Sequence, residues 1–134
     1  MNGVIAVRSL LVGDLPLTGL LPEARIAAGT LPQGTALPAI ALMSISSVDR
    51  NVPSPGPKRR VTERVQVTVL ARAYAEAKAI IAAIRAAAAD QMPVIDGLSE
   101  VTVHTDSAGP DFLDEETGIH MQTQDFRVSF NEAR

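Results

Sequence analysis

At 134 residues, with three Phe, one Tyr and no Trp, the chain has the length of one domain built around an aliphatic core. The absence of cysteine excludes disulfides, thiol redox chemistry, a thiolate nucleophile and Cys-ligated zinc. A formal charge of −3 argues against a surface that holds nucleic acid over its whole extent, because phosphate contacts need clustered Lys and Arg.

The first stretch, MNGVIAVRSLLVGDLPL, is apolar but lacks a basic leader, is interrupted by Arg8 and Asp14, and is too short to span a bilayer. Neither a signal peptide nor a membrane anchor is expected. Val4, Ile5, Arg8, Leu11 and Val12 predict one side of a short helix ending near Gly13. From Leu15 to Gln33, Pro16, Gly19, Pro22, Gly29 and Pro32 predict irregular structure, with room for a short extended piece around Arg25 to Ala28. A strand is predicted from Pro38 to Ser46. Ile40, Leu42 and their neighbours are apolar on both parities, as in a strand covered on both faces or placed at an interface.

Asp49 to Arg60, DRNVPSPGPKRR, reads as an exposed proline-rich loop ending in the basic run Lys58, Arg59 and Arg60. Its prolines stiffen the end of a long β-hairpin arm; a proline-rich ligand for an aromatic groove is the other reading. Next, Val61, Val65, Val67 and Val69 share one parity while Thr62, Arg64, Gln66 and Thr68 take the other, which predicts a half-buried strand. After Tyr74 the period changes. Ala77, Ile80, Ile81, Ile84 and Ala88 form one stripe of an amphipathic helix that must cover a sheet. Ala82, Ala83, Ala86, Ala87 and Ala89 leave a smooth surface suited to close packing, or reflect helix propensity alone.

Pro93 and Gly97 mark a turn, Leu98 to Asp106 a further strand, and residues 107–118 a polar, acidic loop. In the last strand, Ile119 to Phe130, the apolar phase moves from Ile119 and Met121 to Phe126, Val128 and Phe130. This predicts a bulge near Thr123 to Asp125, with a frayed tail from Asn131 to Arg134. The order predicts an α+β fold in a single domain, 1–134: about four mostly antiparallel strands, one long helix packed on the sheet and a short N-terminal helix.

No phosphate loop, dinucleotide glycine signature or nucleophile elbow is present. His104, His120 and Asp106 would make a two-histidine, one-carboxylate site only if the last two strands brought them together. Asp111, Asp114, Glu115 and Glu116 do not have the spacing of a calcium loop and read as a solvated acidic loop. Tyr74, at the strand-to-helix junction, reads as a polar-tipped core anchor rather than a catalytic phenol. No enzyme activity, cofactor or metal site is expected.

Three segments carry a resemblance: LPQGTALPAIALMSIS (31–46), RVQVTVLARAYAEAKAIIAAI (64–84) and QDFRVSF (124–130). Over roughly residues 25–130 the chain resembles the small tail-completion or tail-terminator proteins of long-tailed bacteriophages and prophages. The resemblance implies a homo-oligomeric ring, a hexamer, at the head-proximal end of the tail tube. Such a ring stops tube polymerisation, offers a surface to the head-tail connector or neck protein, and lets DNA pass without reading it. It implies a virion protein of the tail or neck, assembled in the bacterial host cytoplasm, with no membrane partner. Repeated heterologous contacts need two different faces per subunit. The candidates are Ile40 and Leu42 on the apolar strand and Ala83 and Ala87 on the helix, with Lys58, Arg59 and Arg60 as tube or neck contacts. The alternatives are another neck component, such as a head-tail joining or head-completion protein, and a small enzyme on a ferredoxin-like sheet.

Overall fold

The computed structural model describes residues 2–134. Its centre is a six-stranded sheet rather than one of four: β1 (Ile26–Ala28), β2 (Ala39–Arg50), β3 (Lys58–Ala71), β4 (Leu98–Ala108), β5 (Phe112–Asp114) and β6 (Ile119–Ala133). The order across the sheet is β1-β2-β3-β6-β4, with β5 also pairing with β6. Every pairing is antiparallel except β1 with β2. The helices α1 (Asn2–Val12), α2 (Leu15–Thr18) and α3 (Tyr74–Ala88) gather on one face.

The alternation of β3 places Val61, Val65, Val67, Val69 and Ala71 under the helices. In α3 the stripe Ala77, Ile80, Ile81, Ile84 and Ala88 is buried against them, as the helical period requires. Full burial of an Ile side chain contributes about 1.5–3 kcal/mol, so this seam fixes the helix. Helix α1 buries Val4, Val7 and Leu11; the predicted stripe is rotated, leaving Ile5 outside and sending Arg8 Nε to the carbonyl of Ile26 at 2.9 Å. The α1 N-terminus docks on a buried carboxylate, with Gly3 N donating to Glu63 Oε1 at 3.2 Å.

Several expectations are corrected. The segment after Val12 is not wholly irregular: Asp14 caps α2, accepting from Leu17 N at 3.0 Å, and Pro16 sits in the first turn, where a missing N–H costs nothing. Strand β2 continues past Ser46 to Arg50, and β3 starts at Lys58, so only residues 51–57 lie outside the ladder. The predicted hairpin arm is present, with a register shift between Ser44 and Ser46. Strand β6 pairs with β3 without a shift from His120 to Ala133, so the bulge predicted near residue 124 is absent and the tail is zipped in. The shifts lie instead in β4, between Ser99 and Thr102 and between Thr105 and Ala108. The acidic loop 107–118 contains β5, closed by Gly118, whose φ of 71° lets its N–H reach the carbonyl of Asp114 at 2.7 Å.

Candidate functional site

The two histidines do not converge. His104 Nδ1 lies 2.8 Å from Asp90 Oδ1 beside β4, whereas His120 packs edge-on against the Tyr74 ring, 6.1 Å between centroids. Among the described residues, no three His, Asp or Glu are placed to hold a metal ion. Tyr74 is 50% exposed and is not a core anchor; its hydroxyl donates to Asp111 Oδ2 at 2.8 Å. Lys78 Nζ completes the cluster, donating to Asp111 and to Gln122 Oε1. The Lys78 hydrogen bond, then that of Tyr74, holds the Asp111 carboxyl below its usual range, and the same bond raises Lys78. A shallow pocket of about 230 Å³ beside this cluster is lined mainly by apolar atoms, including those of Phe112, Leu113 and Met121. Tyr74, Lys78, Asp111 and His120 line it as well, and the hydrogen bonds of Tyr74 and Lys78 to Asp111 pin β5 to the start of α3.

The edge of the sheet presents a second kind of surface. Strand β1 pairs with β2 only from Ile40 to Leu42, so the outer edge of β2 from Met43 to Arg50 carries no further strand among the described residues. Both faces of that stretch are open to solvent, and Met43, Ile45 and Val48 are exposed. An edge of this length without a partner strand, with Met43, Ile45 and Val48 exposed among serines and the charged Asp49 and Arg50, is a surface able to take a further strand.

The candidate residues sort differently from expectation. Ile40 and Leu42 are fully buried against the helices, so they support the arm from inside and have no surface to give a partner. Ala83 and Ala87, on the flank of α3, are half-buried and packed against the core. Lys58, Arg59 and Arg60 stand in β3, not in a loop, and each is engaged within the chain. Lys58 Nζ donates to Ser99 Oγ at 3.3 Å, and Arg59 lies 3.9 Å from Glu132. Arg60 Nη1 donates to the carbonyl of Glu100 at 2.8 Å; that residue, with φ of 51°, lies within the β4 irregularity.

A second basic feature has no counterpart in the primary sequence. On the helix-free face, Arg64 stands directly across from Arg127, and Arg50 across from Arg60. Arg64 forks onto Asp125 (Nε to Oδ2 2.7 Å, Nη2 to Oδ2 2.5 Å), and Arg127 Nη2 reaches Asp106 at 3.2 Å. Arg50, Arg64, Arg127, Val48, Thr62 and Ser46 line an open groove of about 420 Å³ along the outer part of the arm.

Comparison with known proteins supplies the context. A chain from a solved virion of a native gene transfer agent particle superposes with a TM-score of 0.76 at 19% identity, over 96% of this chain and 93% of that one. A second solved chain, 13% identical, matches over 97% and 95% with a TM-score of 0.51. No curated protein matches the sequence. The family model described as tail completion protein gp17 matches residues 5–130, nearly the whole length. The chain therefore belongs to the tail completion protein gp17 family of bacteriophage structural proteins.

Proposed function

We propose that this tail-completion protein closes into a ring, a hexamer, on the head-proximal end of the tail tube. There it terminates tube polymerisation and presents the surface to which the head-tail connector or neck protein attaches. The observation that carries the reading is the asymmetry of the sheet. One side ends in the open edge Met43–Arg50, and the other carries β5 and the acidic turn behind it. Two unlike sides per subunit are what a closed heterologous ring requires. The family membership supplies the tail context, and similarity to a chain of a gene transfer agent virion fits it.

On this reading the work is geometric, without catalysis or a cofactor, and DNA traverses the ring unread. The arm meets the tube or the neck protein through its end and through Lys58, Arg59 and Arg60, and the α3 flank with Ala83 and Ala87 packs toward a neighbouring subunit. Assembly takes place in the host cytoplasm, and the finished protein resides in the virion; among the described residues no helix is long and apolar enough to cross a membrane. The test is to add the purified protein to polymerising tail-tube protein. Elongation should stop, with the added protein at one tube end. Unchanged elongation, together with binding to isolated heads, would assign it to a head-tail joining or head-completion role instead.

A further inference from the structure

The arginine-lined groove and the acidic loop lie on one chain but cannot meet within it. Register places the groove at the level of Arg127 and β5 at the level of Ile119 to Met121, about 20–25 Å apart along the strands. The groove spans β2, β3 and β6, whereas β5 lies beyond it on the other edge of β6. We infer that the groove seats the acidic loop of a second copy of this chain, with Leu113 against Val48 and the carboxylates of Asp114, Glu115 and Glu116 toward Arg50. The inference rests on the ring reading and specifies the contact that joins one subunit to the next.

The two surfaces match in chemistry. Val48, 64% exposed, gives the groove an apolar wall, and Phe112 and Leu113 give the loop an apolar edge. Asp111 is held by Lys78 and Tyr74, so the loop leaves a fixed stem with three further acids exposed or half-exposed behind it. Nucleic acid fits less well. Asp106 and Asp125 already face Arg64 and Arg127, which leaves Arg50 in the groove, with Arg60 across from it tied to the Glu100 carbonyl and the Asn131 amide. A phosphate track needs several uncompensated cations. Two neighbouring guanidinium groups beside an apolar wall instead favour a short acidic peptide that also carries an apolar side chain. Because groove and loop are different surfaces, each contact leaves one of each free, and the chain of contacts ends only by closing.

The absence of cysteine makes the test direct. In the double variant V48C/L113C, a short bismaleimide should give a covalent ladder that ends at the ring size, and mixed V48C and L113C single variants should give dimers. R50E should raise the concentration for half-assembly at least tenfold, and combining R50E with E115R should restore it. Cross-linking of V48C alone would indicate two-fold edge pairing and overturn the inference. Rings that form without V48C/L113C cross-links would overturn it while sparing the ring reading. Salt-sensitive binding of a DNA duplex that R50E abolishes, with rings unaffected, would assign the groove to phosphate. A protein that stays monomeric even on tail tubes would sink both.

Discussion

Gln124 is fully buried on the helix-side face of β6, and replacing it with Leu tests whether that polar stretch of the strand is a satisfied network. Its carboxamide oxygen accepts from Arg85 Nη1 at 2.7 Å, and its nitrogen donates to the carbonyls of Ser107 at 3.2 Å and Asp125 at 2.9 Å. Losing one hydrogen bond to a charged group costs about 1.5–3 kcal/mol, and two neutral ones about 0.5–1.5 kcal/mol each. Leucine recovers about 1.5–3 kcal/mol of apolar burial, and the exposed Arg85 and Ser107 return to water. The net expectation is a loss of about 1–3 kcal/mol, which for a chain of this length lowers Tm by about 4–10 °C. Thermal unfolding followed by circular dichroism measures it, and a double-mutant cycle with R85A should give a coupling of about 1 kcal/mol. An unchanged or raised Tm in Q124L would refute the reasoning.

Phe126, fully buried beneath the helices, should cost about 3–5 kcal/mol when cut to Ala, a fall in Tm of about 10–18 °C by calorimetry. The pinning of β5 should depend on pH in a defined way. Asp111 is depressed, so its contribution is full above the ordinary value of 3.8 and is lost as pH falls through the lower folded value. Lys78 is raised, so its contribution is full below 10.5 and is lost as pH rises through the higher folded value. The protection of the Phe112 to Asp114 amides, taken relative to their intrinsic pH-dependent exchange rate, should therefore be constant across neutral pH and lower at both extremes, and D111N should remove the acid limb. The triple variant K58A/R59A/R60A should lower Tm by a few degrees, because these side chains tie β3 to β4 and β6. It should also weaken tube capping; intact capping would remove their role as tube or neck contacts.

The two longest periodic signals were legible because burial on one face leaves an uninterrupted record: the valines of β3 and the isoleucine stripe of α3. The outer half of β2 left none, since Met43 to Arg50 is exposed on both faces and is held by its ladder with β3. In β6 the apolar phase misled. His120, Gln122 and Gln124 lie on the core side, and the helix partners of the two glutamines, Lys78 and Arg85, are about 40 residues away. Pro16 read as a breaker although Asp14 makes it a helix start. Apolarity marked Ile40 and Leu42 for an interface, but apolarity alone does not separate a core from a contact. The basic run was visible; its hydrogen bonds to β4 and its contact with Glu132 of β6 were not. The groove is farther from view still, because Arg50, Arg64 and Arg127 come from three strands and meet only through register.

The most direct test of the central claim is to image purified tail tubes incubated with this protein and to weigh the bound species. The account predicts a closed ring of six copies at one end of each tube, and no growth beyond it. Tube ends left bare, with the protein monomeric at every concentration, would contradict it.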